Sequence, residues 1–251
     1  MPTIEREALE ALIRRCLASF HKRRIEALDA LNLLEILKRK NPYLFRATGI
    51  QSAPEMVERL LSAHISSSDE TIFGGVFFEP ICMALCGGRV AGTRGADFVI
   101  ETDTAYEVIA LKSGPNIFNS DQTSKQNQRF DEILRSLRAT LRPFAKQFVP
   151  IMGCGYGRSN RPNPTEVRRY FKLAGQAFWQ KVTNSADFHL ELIRLMKDDP
   201  DRHSVEFQAA WDRALKRFAK QFSDTFCDSD GNILWEKLVQ FNSGKNTKPS
   251  P

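Results

Sequence analysis

The sequence predicts an α/β fold: a mixed β-sheet flanked by helices, with extra helices towards the N- and C-terminal ends. Three observations carry this. Two short apolar stretches, 96–101 and 105–112, are joined by the polar turn Thr102-Asp103-Thr104, the pattern of a hairpin. A third apolar run at 147–152 adds another strand, for a sheet of four or five. On either side of this block, apolar residues recur at helical spacing. At 251 residues, 42% hydrophobic and 26% charged, the chain can bury a sizeable core. One domain over 1–243 is predicted: N-terminal helices (1–64), a central core (65–157), a helical C-terminal part (158–243), and a disordered tail at 244–251.

Taken in order, residues 3–20 place Leu9, Leu12, Ile13, Cys16, Leu17 and Phe20 on one helical face. Basic His21-Lys22-Arg23-Arg24 separates this helix from a leucine-rich one over about 25–38. Lys38-Arg39-Lys40 closes the second helix, where cations favour a C-terminus, and Asn41-Pro42 breaks the chain. Ser52-Ala-Pro-Glu55 has the form of a capping box opening a helix to about His64. Ser67 and Glu70 repeat the device ahead of an apolar region, 72–85, whose only charge is Glu79 at a predicted break before Pro80. Gly87-Gly88 ends that region, and 89–94 supplies a short strand before the hairpin.

After the hairpin comes a polar helix over 122–141, then the strand at 147–152. Gly153-Cys-Gly-Tyr-Gly157 lacks the Lys-Ser/Thr of a phosphate loop and the spacing of a dinucleotide turn, and reads as a tight turn. A basic, proline-bearing loop spans 158–164. Helices are predicted over about 165–183, 186–197 and 204–226, with Trp179, Phe188, Trp211 and Trp235 in the core. Asp228-Ser-Asp230-Gly-Asn232 is a turn and no calcium loop, because its glycine falls fourth and Val239 stands where the closing glutamate belongs. The polar segment 242–251 reads as disordered.

Net charge is +6 and the isoelectric point about 9.1, which suits a polyanionic partner. Between Lys112 and Lys172, twelve Lys/Arg oppose four Asp/Glu, a local +8 that leaves the remainder slightly acidic. Five cysteines form no C-x-x-C pair, and none of the four histidines stands at zinc spacing from one. The first residues are charged where a signal peptide needs an apolar run, and 72–86 is too short to span a bilayer. The expectation is a reduced, cytoplasmic protein with no membrane association.

The chemistry gathers on the hairpin. Asp97 opens its first strand and Lys112 closes its second, and antiparallel strands return both ends to one edge of the sheet. A loop-forming Ser113-Gly114-Pro115-Asn116 leaves the lysine at a loop mouth. A carboxylate beside an ammonium suits a hard metal ion next to a phosphate; the alternative is an ordinary cross-strand surface pair. Glu79, the lone charge in an apolar run, is either a partly exposed residue at a break or a buried carboxylate needing a cation nearby.

In these residues the chain resembles a type II restriction endonuclease of the PD-(D/E)XK nuclease superfamily. The pattern of a helix glutamate, a strand aspartate and an acid-x-Lys falls on Glu79, Asp97 and Ala110-Leu111-Lys112. Longer blocks carry the resemblance further: Lys40-Asn-Pro-Tyr-Leu-Phe45, Ser66-Ser-Ser-Asp-Glu-Thr-Ile-Phe-Gly74, Lys112-Ser-Gly-Pro-Asn116 and Gly175-Gln-Ala-Phe-Trp179. Phe226-Cys-Asp-Ser-Asp-Gly-Asn-Ile-Leu-Trp235 with Phe241-Asn-Ser243 extends it over roughly 25–243. The resemblance implies a restriction-endonuclease-like fold with a catalytic core at 65–157. It also implies Mg²⁺-dependent, sequence-specific cleavage of double-stranded DNA, a homodimer on DNA, and a cognate DNA methyltransferase as functional companion. Asp97 and Glu79, with the Leu111 carbonyl, would hold the metal, and Lys112 would act beside it. Gln122 and Lys125 would touch the phosphate, with Arg129, Arg135, Arg138, Arg158 and Arg161 on the DNA face.

One position departs from the pattern. Ala110 stands where the family has an acid, and Glu107 points to the opposite face of the strand. Glu79 is the leading substitute, with Asp121, Glu132 or the Leu111 carbonyl behind it. Two alternatives remain open: another DNA nuclease of the superfamily, acting in repair or on junctions, and a DNA-binding protein that has lost catalysis.

Overall fold

The computed structural model describes residues 4–87, 89–92, 95–115, 120–141, 145–197 and 200–244. Gly88, the 93–94 end of the strand expected at 89–94, Asn116 and the 245–251 part of the tail lie outside them. The described elements run α1 (Arg6–Asp29), α2 (Leu33–Leu37), α3 (Pro42–Ala47), α4 (Ala53–Phe73), a π-helical turn (Gly74–Phe78) and α5 (Glu79–Cys86). Then follow β1 (Arg89–Val90), β2 (Phe98–Glu101), β3 (Ala105–Lys112), α6 (Ser120–Leu141), β4 (Gln147–Cys154) and β5 (Phe171–Ala174). Helices α7 (Gln176–Thr183), α8 (Phe188–Leu195), α9 (Pro200–Phe226) and α10 (Trp235–Ser243) complete the order.

The fold is α/β with one five-stranded mixed sheet, in the order β1-β2-β3-β4-β5. Strands β1 to β3 pair antiparallel, while β3–β4 and β4–β5 are parallel. Helix α6 makes the crossover that a parallel β3–β4 pair needs. Alternation along β3 divides the core by face. Ile109 and Leu111 join a cluster with Phe77, Ile81, Phe98, Ile151, Phe178 and Trp179. Val108 and Ala110 join another with Val99, Phe130, Ile133, Met152 and Tyr170. Each large apolar side chain buried in this way stabilises the fold by roughly 1.5–3 kcal/mol.

Contacts divide the chain into two compact units, Met1–Phe20 with Glu70–Asp198, and His21–Asp69 with Asp199–Pro251. The first contains the sheet. The second is helical, and its core joins Leu33, Met56, Leu60 and Leu61 to Phe218, Phe222, Phe226 and Leu238. Its turn at Asp228 is held by that residue's carboxylate, which accepts from the backbone N–H of Asp230 (3.0 Å) and of Asn232 (2.8 Å).

Several sequence expectations are corrected. Helix α1 is continuous through His21–Arg24, because that basic run contains no breaker; the chain turns at Asn32, whose side chain caps Leu34 and Glu35 of α2. Asn41-Pro42 starts a helix instead of breaking one: Asn41 caps Leu44 and proline occupies the first turn. Ser52 and Glu55 do cap α4, but the helix continues to Phe73, so Ser67 and Glu70 lie in its interior. Glu79-Pro80 is no break either. Glu79 N–H bonds the Gly74 carbonyl across the widened π turn, where proline's missing N–H is tolerated. The helix predicted over 165–183 begins only after Gly175. Before it, Tyr170 and Ala174 face one cluster and Phe171 and Leu173 the other, the two-residue period of strand β5.

Candidate active site

The hairpin delivers its two ends to one edge as its sequence demands. β2 pairs Phe98 with Ile109, so continuing the register sets Asp97 opposite Ala110, with Lys112 two residues on. Asp97 is fixed twice over. Its N–H donates to the Ile109 carbonyl at 2.8 Å, and its Oδ2 accepts from Leu111 N–H at 2.6 Å. The carboxylate thus takes the first peptide hydrogen bond that β2 is too short to make. Alternation of peptide groups turns the Leu111 carbonyl to that same edge.

Lys112 is half-buried at the end of β3, its carbonyl accepting from Gly155 N–H at 3.0 Å. Among the described residues no carboxylate comes within 4.0 Å of its ammonium. Its charge is nevertheless felt by Glu79 at the start of α5. Burial pushes the Glu79 carboxyl above the usual carboxylate range, the negative charge of Asp97 pushes the same way, and Lys112 opposes both. Glu79, Asp97 and Lys112, spread over thirty-odd residues of sequence, therefore share one electrostatic neighbourhood. Ala110 is 2% exposed and supplies no oxygen there.

Glu107 is committed elsewhere. Its carboxylate, 9% exposed, accepts from Lys181 Nζ of α7 at 2.6 Å. Asp121 and Glu132 both lie exposed on α6, and neither is among the charges that move Glu79.

Three residues next to Lys112 escaped the sequence reading. Glu70, near the end of α4, accepts from Ser113 Oγ at 2.6 Å and from the Tyr156 hydroxyl at 3.2 Å. Tyr156 N–H also donates to the Ser113 carbonyl at 3.2 Å, and Lys172 Nζ to the Pro115 carbonyl at 2.7 Å. Gly114 is glycine for a reason of space, since a Cβ there would lie 2.4 Å from the Tyr156 hydroxyl oxygen. Burial and the Glu70 carboxylate together raise the Tyr156 phenol. The block Ser66–Gly74 contains Glu70, but nothing local to it indicates Ser113 as its partner.

The basic residues predicted for DNA separate into groups. Gln122, Lys125 and Arg129 stand at i, i+3 and i+7 on one exposed stripe of α6. The stem of Arg129 lies against Gly95 (φ +105°), and buried Gln126 donates to the Gly95 carbonyl at 3.0 Å, so this stripe borders the approach to Asp97. Arg135 and Arg138 are exposed on the opposite flank of the helix. Arg158 and Arg161 are exposed on the loop after β4.

A resident metal can be tested against this donor set. Two carboxylates, one of them half-buried and shifted first by that burial and then by the other's charge, offer oxygen donors of the kind taken by a hard divalent cation that keeps several of its waters. Among the described residues no group of three or more His, Cys, Asp or Glu could hold a metal, so any ion would draw on carbonyls and water as well. The residues fit Mg²⁺ in that sense.

No curated protein matches the chain at a significant level. Residues 7–203 match the family described as "Type II restriction endonuclease EcoO109I", which takes in the whole of α4, the hairpin, the sheet and α7–α8. That span is well over half of the 251 residues. The chain belongs to this type II restriction endonuclease family.

Proposed function

We propose that this protein is a sequence-specific restriction endonuclease that hydrolyses phosphodiester bonds of double-stranded DNA with Mg²⁺. The observation carrying the reading is the meeting of Asp97, Glu79 and an ammonium free of ion pairing among the described residues, Lys112, at one edge of the hairpin. Asp97, Glu79 and the Leu111 carbonyl would hold the cation. When bound, such an ion polarises the phosphate and lowers the pKa of a coordinated water. Asp97 is oriented for this by its bond to Leu111 N–H. Lys112 orients the attacking water and offsets the charge that develops on the phosphoryl oxygens. Gln122, Lys125 and Arg129 grip a neighbouring phosphate, and the more distant Arg135, Arg138, Arg158 and Arg161 extend the positive face.

Both compact units belong to one nuclease in this reading. The enzyme acts in the cytoplasm as a homodimer on its site, because one catalytic constellation per chain and no internal repeat leave the second strand to a second copy. A methyltransferase of the same specificity would protect host DNA. Digestion of long duplex DNA with Mg²⁺ and mapping of the ends tests the reading: one defined sequence at every end is expected. Cleavage confined to branched DNA would replace it with a repair or junction nuclease.

A second reading rests on buried, apolar Ala110 at the acid position: a DNA-binding protein without catalysis. Metal-dependent nicking of any DNA removes it.

A further inference from the structure

Residues 161–172 run from an exposed loop, 161–167, into the start of β5, and the backbone of this segment is fixed from within. Arg161 and Lys172 close it with an antiparallel bridge, Arg161 N–H to Lys172 carbonyl at 2.8 Å and the reverse at 3.0 Å. The Arg168 guanidinium turns inward and donates to three carbonyls of the loop, those of Asn163 (2.6 Å), Arg161 (3.2 Å) and Tyr170. Thr165 N–H donates to the Arg168 carbonyl at 2.7 Å, and Thr165 Oγ1 accepts from Arg168 N–H at 3.1 Å. From beneath, buried Asn127 of α6 donates to the Val167 carbonyl (2.7 Å) and accepts from Arg169 N–H (2.9 Å). Pro162 and Pro164 fix two further φ angles.

The side chains at the tip of this segment, 161–167, serve no core, whereas Tyr170 and Phe171 at its base do. Residues 161–167 are all exposed, and Val167, a β-branched apolar residue, is 77% exposed. An arginine and a buried asparagine order a loop tip that packs nothing. Ordering in advance lowers the entropic cost of binding, which is how recognition loops gain affinity. The base of the loop is also tied to the active site, since Lys172 Nζ bonds the Pro115 carbonyl three residues after Lys112. Whatever the loop touches therefore lies at a fixed offset from the reacting phosphate.

We propose that this loop reads base edges in the major groove, with Asn163 and Val167 as the specificity-determining residues; the proposal rests on the DNA-binding part of the function given above. A narrow loop closed by an antiparallel bridge approximates the tip of the two-stranded ribbon that the major groove admits. The Asn163 amide can donate to and accept from one base edge at once, and the Val167 methyls suit the methyl group of thymine. Arg158 and Arg161, exposed at the root of the loop, sit where phosphates flank the groove.

The test uses the full-length protein, wild type and the variants Asn163→Ala and Val167→Ala. Each is incubated in Ca²⁺ with a library of randomised duplexes; bound molecules are sequenced, and cleavage of the selected sequence is then assayed in Mg²⁺. Both residues are exposed, so folding is not at stake. The wild type should enrich one motif, and each variant should lose discrimination at one position of it by roughly tenfold while keeping the others. Enrichment of the same motif at the same strength by both variants overturns the loop's role, as does a wild type that enriches no motif. If the wild type selects a motif but does not cut it in Mg²⁺, the nuclease reading fails while the loop's role is still decided by the variants.

Discussion

Strand β3 lies next to two carboxylate–lysine arrangements that differ in contact and in charge balance. Towards its start, Glu107 and Lys181 are in direct contact at 2.6 Å, the carboxylate buried and satisfied. At its end, Asp97 and Glu79 stand near Lys112, no carboxylate touches the ammonium among the described residues, and burial with like charge holds Glu79 protonated to higher pH. A closed pair lowers the energy of the fold and leaves nothing for a ligand. An open cluster costs stability and keeps its charges for something that arrives later. The difference marks which acid belongs to the architecture and which to the chemistry.

The largest expected effect tests the open cluster directly. Asp97→Asn and Lys112→Met should each lower the cleavage rate by at least ~10²–10³-fold, with melting temperature and Ca²⁺-supported DNA binding close to wild type. Single-turnover cleavage next to thermal unfolding reads both. Near wild-type cleavage by either variant would show that the cluster is not catalytic.

Lys181→Met tests the closed pair and should behave in the opposite way. It strands a buried carboxylate, at a cost of about 1–3 kcal/mol, while the cleavage rate per folded molecule stays put. Denaturant titration measures the first and an active-site-normalised rate the second. A selective loss of rate would move Glu107 into the chemistry.

Glu70 sharpens the boundary between the two cases, because its carboxylate is satisfied yet borders the open cluster. Glu70→Ala should slow cleavage about tenfold by releasing Ser113, with DNA affinity little changed, and Glu70→Gln should restore part of the rate. An equal loss from both variants in affinity and rate alike would assign Glu70 to DNA binding instead.

Glu79 supplies a smaller, pH-dependent signature. Its folded pKa is raised, so the fold favours the neutral form; that stability is fully present below the unfolded value and is lost as pH rises through the folded one. Glu79→Gln, which stays neutral, should match the wild type in melting temperature under acid conditions and exceed it at neutral pH. Melting curves across pH decide this, and a constant gap would remove Glu79 from the cluster.

The smallest effect concerns the two stripes of α6. Replacing Lys125 and Arg129 by alanine should reduce the salt dependence of DNA binding in Ca²⁺ by about one to two units of log–log slope, and more than replacing Arg135 and Arg138. The reverse order would place the opposite flank of the helix on DNA.

The sequence by itself determined what is periodic or terminal. Strand β3 occupies the predicted 105–112, and β4 extends the predicted 147–152 run by two residues. Helix α6 differs from its predicted span by two residues at its start. Asp97 and Lys112 reach one edge because antiparallel geometry leaves them no other arrangement. Local pattern also excluded Glu107, since a period of two cannot put it on the face of Ala110 and Lys112. Only the tertiary structure decided the rest. The bond from Ser113 to Glu70 spans forty-three residues, and Arg168 turns inward because carbonyls of its own loop converge on it. Strand β5 was hidden because its residues also suit a helix, and pairing with β4 settles the choice. Such contacts depend on where separate elements pack, and the spacing of residues along one element carries no record of that.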